Sequence, residues 1–130
     1  MSKYMKNTLN RIDKFFERLP EKYNTILSEL DCVAYVTKEP AAFSYRMSGE
    51  KKELKIGDHW GDLFDCGWFC FTGILPQEYS MEELVLLIDV SGEGLVYDEK
   101  TGPVIGLTNG TTAYEYGSIR KHVVPLNLCN

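Results

Sequence analysis

The sequence predicts a mainly β protein: an antiparallel β-sandwich of jelly-roll type, preceded by a helical hairpin. Three observations carry that expectation. Short runs rich in β-branched and aromatic residues follow one another over the later part of the chain. Turn signals built on Gly, Asn and Asp separate them. No stretch between them is long and periodic enough to be a crossover helix, which disfavours a parallel sheet.

The helical part comes first. Met5, Leu9, Ile12, Phe16 and Leu19 recur at i, i+4, i+7, i+11 and i+14, one face of a helix, while Lys6, Arg11, Lys14 and Glu17 lie elsewhere. An amphipathic helix to about Arg18 follows. Pro20 suits the first turn of a second short helix, whose apolar positions Tyr23, Ile26, Leu27 and Leu30 again have helical spacing. The apolar stripe is expected to pack on the sheet that follows, in preference to a membrane or a partner.

From Cys32 the texture changes. Residues 33–36 are β-prone, Glu39-Pro40-Ala41-Ala42 breaks the run, and 48–52 reads as polar loop. Past Gly57, strands are expected at 68–74, 83–90, 95–97, 104–107, 111–116 and 120–124. The turns between them are Ser91-Gly92-Glu93-Gly94, the 98–103 segment Asp-Glu-Lys-Thr-Gly-Pro, Asn109-Gly110 and Gly117-Ser118. The expected organisation is helices over 1–31 and a sandwich over 32–130, one structural domain in all.

Composition narrows the functional classes. With 130 residues, 44% of them hydrophobic, the chain can fill one core but cannot hold a large multidomain hydrolase. A net charge of −5 and the lack of a long basic run argue against nucleic-acid binding. The start lacks the apolar core of a secretory signal, and the longest apolar run, Leu84-Val85-Leu86-Leu87-Ile88, is far short of the roughly twenty residues of a spanning helix. The expectation is a cytoplasmic protein, not membrane-bound, whose Cys32, Cys66, Cys70 and Cys129 stay reduced.

Functional side chains are densest between Asp58 and Phe71. As a metal site the stretch offers His59, Cys66 and Cys70 with Asp58, Asp62 or Asp65, but structural zinc takes paired C-x-x-C or H-x-x-x-H elements, and only one looser Cys pair is present. No metal ligand is assigned, and the cysteines read as small core hydrophobes. As a carbohydrate surface, Trp60 and Trp68 would present flat faces to sugar C–H groups while Asp58 and Asp62 accept hydroxyl hydrogen bonds. Trp68, inside an alternating strand, reads as core. Trp60, in a Gly-flanked loop, is the candidate for ligand or interface contact, with Asp62 beside it and Glu93 at the tip of its turn.

Ser118 and His122, or Cys70 and His59, sit in no nucleophile setting, so no catalytic residue is assigned. Gly92-Glu93-Gly94 leads into a strand and not into a phosphate-binding helix. Asn109-Gly110-Thr111 fits a glycosylation sequon that a hairpin turn already explains.

In order and spacing, Trp60-Gly61-Asp62, Trp68-Phe69, Gly92-Glu93-Gly94-Leu95-Val96-Tyr97-Asp98 and Gly102-Pro103-Val104-Ile105-Gly106-Leu107 resemble the N-terminal region of glycoside hydrolase family 38 α-mannosidases, the cytosolic and vacuolar branch. The resemblance implies a galactose-binding-domain-like sandwich that precedes a zinc-dependent catalytic barrel. That barrel's His-x-Asp pair is missing here, since His59 is followed by Trp60-Gly61 and His122 by Val123-Val124. The resemblance therefore implies an accessory fragment, inactive alone and cut before the sandwich's last strand, with no cofactor of its own. Zinc belongs to the parent's catalytic domain. The implied partners are that barrel and further copies of a homo-oligomeric parent. The alternative is a free-standing module that binds mannose-containing oligosaccharides.

Overall fold

The computed structural model describes residues 2–109 and 121–129. Helix α1 spans Lys3–Arg18; the Ser2 hydroxyl caps it by accepting the Met5 N–H at 3.3 Å. The second helix is a correction. α2 is a single turn, Pro20–Tyr23, and Asn24 is already extended, so Ile26, Leu27 and Leu30 lie outside it. One turn with no side-chain cap has little beyond its junction with α1 to offset the cost of helix nucleation.

The stripe on α1 departs from expectation as well. Met5, Leu9, Ile12 and Phe16 are 44–62% exposed, and no residue of the helix is buried.

The strands are β1 (Asp31–Thr37), β2 (Glu50–Leu54), β3 (Cys66–Thr72), β4 (Val85–Leu87), β5 (Glu93–Asp98), β6 (Gly102–Thr108) and β7 (Val123–Pro125). Every pairing among the described residues is antiparallel. β2 stands where a polar loop was expected. Its sequence, Glu-Lys-Lys-Glu-Leu, has no β propensity to show, yet it is the edge of the sheet β2-β1-β3, where charged side chains are the usual guard against further pairing. The 83–90 strand is shorter than expected. Glu83 instead closes a turn, its carboxylate accepting both the Ser80 N–H at 2.9 Å and the Ser80 hydroxyl at 3.1 Å. The strand expected at 111–116 lies outside the described residues, as do Gly110, Gly117 and Ser118.

The chain divides into two compact units, Met1–Ile74 and Leu75–Asn130. In the first, β1 is the central strand, and its burial alternates so that Ala34 and Val36 are buried on one face. Ala34 sits opposite Phe69 and Val36 opposite Gly67. Gly49, just before β2, lies so close to β1 that a Cβ there would sit 2.5 Å from the Val36 carbonyl oxygen, which only glycine permits.

In the second unit β5 pairs with β6 and β4 with β7. The β5–β6 hairpin turns at residues 99–101, and Gly102 takes φ +85° to start the return strand. Asp98 holds that turn: its Oδ1 accepts the Lys100 N–H at 2.9 Å, the Thr101 N–H at 2.7 Å and the Thr101 hydroxyl at 3.0 Å. These bonds stabilise the ionised form and keep the carboxyl below its ordinary range. Lys121 bridges to Thr108, and the His122 carbonyl accepts the Ile88 N–H at 2.8 Å, which ties the two ladders of this unit together. Ile88 and Val124 are its buried apolar residues among those described.

Candidate functional site

The functional cluster expected from the sequence falls on the connection between β2 and β3, residues 55–65, and runs on into β3. β2 ends beside Cys32 at one end of β1, while β3 starts beside Thr37 at the other, so this connection must cross the sheet. It crosses on the face of Ala34 and Val36. The Trp60 ring meets Phe69 edge to face at 5.0 Å, and the Trp60 carbonyl accepts the Lys52 ammonium at 3.0 Å. Trp60 is half-buried by this packing.

Two turns shape the crossing. At its start the Asp58 N–H donates to the Lys55 carbonyl at 3.0 Å, and the Asp58 carboxylate accepts the Lys55 N–H at 2.8 Å. At its end the Asp65 N–H donates to the Asp62 carbonyl at 3.0 Å, while Asp65 Oδ2 accepts the Asp62 N–H at 2.9 Å. The Lys38 ammonium grips both Asp65 oxygens, at 2.7 and 3.0 Å. Lys38, the Asp62 N–H and the Lys52 charge hold the Asp65 carboxyl below its usual range.

Phe64 rides this second turn at φ +68°, a conformation that costs a bulky residue energy, and both it and Leu63 point into solvent at more than 80% exposure.

Among the expected contact residues, Asp62 is exposed, with one carboxylate oxygen 3.7 Å from His59 Nε2. Glu93 is exposed too, but it opens β5 and is not at the tip of a turn; it belongs to the second unit. Trp68 lies on the opposite face of the β2-β1-β3 sheet. Its indole N–H donates to the Ala41 carbonyl at 2.8 Å, and Phe43 meets its ring at 5.6 Å, so the β1–β2 connection covers that face as the β2–β3 connection covers the other.

The carboxylate that organises the loop is Asp65, which is not among the expected contact residues. Spacing could have pointed to it, since Asp62 and Asp65 stand three apart like a turn-capping pair, but its partner Lys38 is 27 residues away.

Asp58 and Asp65 are engaged in building turns, the Asp62 carboxylate faces solvent, and among the described residues no three His, Cys, Asp or Glu side chains gather into a metal-holding group. Burial pushes the Cys32 thiol up, with Cys70 adding to the effect; burial and then the Asp98 carboxylate do the same for Cys129. Neither is prepared as a thiolate. A shallow recess in the second unit, lined by residues 96–100 and Cys129, has Asp98 in its wall, but the turn already occupies one oxygen of that carboxylate.

A family model described as the alpha-mannosidase jelly roll domain, Ams1-like, matches residues 28–122. The chain belongs to the alpha-mannosidase jelly roll domain family. The match covers well over half of the chain and bears out both the resemblance carried by the tryptophan and glycine motifs and the antiparallel fold class. It begins at residue 28, so α1 and α2 precede the matched jelly roll. No curated protein and no solved structure matched the chain.

Proposed function

We propose that this chain is the accessory jelly-roll part of a cytoplasmic α-mannosidase of glycoside hydrolase family 38, working in cis with a zinc-dependent catalytic barrel and doing no glycoside chemistry itself. The observation that carries the reading is the match to the alpha-mannosidase jelly roll domain over 28–122. The geometry supports it in two ways. Two of the three carboxylates of the candidate loop are engaged in its own turns, Asp58 and Asp65 accepting backbone N–H groups, while Asp62 faces solvent beside His59. The same turns hold Leu63 and Phe64 out into solvent, the sort of apolar projection that suits contact with another protein surface more than contact with a sugar. The role is then structural: the sandwich packs against the catalytic body, or a neighbouring copy in a homo-oligomeric parent.

The test is an assay of the purified chain with an aryl α-mannoside and added zinc. The expected result is no turnover, and turnover that persists through purification overturns the proposal. Titration with mannose and manno-oligosaccharides, with a Trp60→Ala control, separates this from a sugar-binding module. Silence fits the accessory role; a millimolar or tighter signal lost in the variant establishes the module instead.

A further inference from the structure

We propose that α1 is an interfacial helix that lays its apolar face on an anionic lipid surface. The inference does not depend on the α-mannosidase reading, because the helix lies ahead of the jelly-roll match that begins at residue 28.

At 100° per residue, Tyr4, Met5, Leu9, Ile12, Phe15, Phe16 and Leu19 fall within an arc of about 140°, and every charged residue of the helix falls outside it. Thr8, whose hydroxyl donates back to the Tyr4 carbonyl at 3.0 Å, is the one polar residue inside the arc. In a helix meant for the protein's own core, such an arc would be covered. Here Tyr4 is 85%, Phe16 62% and Phe15 60% exposed, and no residue of α1 is buried.

Charge says what covers it. Lys3, Lys6, Arg11, Lys14 and Arg18 stand against Asp13 and Glu17, so the helix carries +3 in a chain whose total is −5. The helix is the cationic part of an otherwise acidic protein. A strongly amphipathic helix that has more polar than apolar residues, with Lys and Arg on its polar face and Phe, Tyr and Leu on the other, has the pattern of helices that lie in the headgroup region of anionic membranes. Arg11 and Arg18 flank the Tyr4 and Phe15 side of the arc, where long cationic side chains reach phosphate while their methylenes stay against acyl chains.

Repulsion from the acidic remainder is limited. At physiological ionic strength it is screened beyond about 8 Å, whereas a helix of 16 residues is about 24 Å long. Pairing with a second copy is the weaker reading. The arc is broader than the narrow seam of a two-stranded coiled coil, and two heptads are short for one. Nor does the helix span: among the described residues none is long and apolar enough to cross a membrane.

The test uses the full chain with vesicles of phosphatidylcholine alone or with about 30% phosphatidylserine, read by co-sedimentation. About tenfold stronger partitioning onto the anionic vesicles is expected, falling several-fold as salt rises from about 0.1 to 0.5 M. Phe16→Glu should remove the binding, and Lys3, Lys6 and Lys14 changed together to Gln should weaken it several-fold. Near-ultraviolet dichroism from Trp60 and Trp68 checks that the sheet is intact. Equal binding to neutral vesicles, binding unchanged in Phe16→Glu, or no lipid binding by the unaltered chain would each overturn the proposal. Self-association lost in Phe16→Glu, in a chain that ignores lipid, would give the face to a second copy instead.

Discussion

The two units of this chain solve the same problem, making a sheet from short strands, by different means. In Met1–Ile74 the central strand β1 is paired along its length on both sides, and the connections on either side of β2 fold over the two faces of the sheet, one with Trp60 on Phe69, the other with Phe43 and the Ala41 carbonyl on Trp68. Among the described residues of Leu75–Asn130 the ladders have two strands each, and a turn built on Asp98 sets the register of the longer one. The difference is one of range. The first unit depends on contacts between residues far apart in sequence, which sterics and aromatic packing enforce; the second leans on turn chemistry between neighbours.

That contrast can be broken most severely at Gly49. Gly49→Ala drives a Cβ into the Val36 backbone, with no flexible side chain to give way, and a loss of about 3 kcal/mol is expected. Amide exchange should show the damage in β1 and β2. Val124→Ala, at a fully buried position of the second unit, should cost about 2 kcal/mol in chemical denaturation. Trp68→Phe leaves the Ala41 carbonyl without its indole donor, and about 1–2 kcal/mol is expected from the same measurement.

Acid sharpens the comparison from the other side. The Asp65, Asp98 and Glu83 carboxyls are all held below their ordinary values. Their contribution is therefore complete above the usual carboxylate range and is lost as pH falls through their own lower values. A melting series from neutral to acid pH should show Tm falling below about pH 4, and Asp98→Asn should flatten the fall. The smallest effect is a gain. Phe64→Gly relieves a left-handed backbone at an exposed position and is expected to add about 0.5–1 kcal/mol, less whatever the freer unfolded chain takes back.

Legibility followed the same division by range. The β5–β6 hairpin could be read from Asp98 to Gly102 because a turn's chemistry is written in adjacent residues. α1 was equally plain, since its apolar spacing is local. β2 could not be read: Glu-Lys-Lys-Glu-Leu becomes a strand only because β1 offers it an edge. α2 is shorter than its pattern suggests because helical spacing at Ile26 and Leu27 says nothing about whether a turn is capped or covered. At the candidate site Trp60 and Asp62 drew attention by residue type, while Asp65 does the organising through Lys38, a partner that only folding brings near.

The sequence by itself determined an antiparallel, mainly β protein of the jelly-roll class with an amphipathic basic helix in front, because hydrophobic period, turn residues and family motifs are properties of neighbouring positions. Tertiary structure alone decided which strand forms the charged edge, which carboxylate holds the loop and that the helix keeps its apolar face uncovered. Those outcomes depend on which distant groups meet, and pairing across tens of residues leaves no local mark.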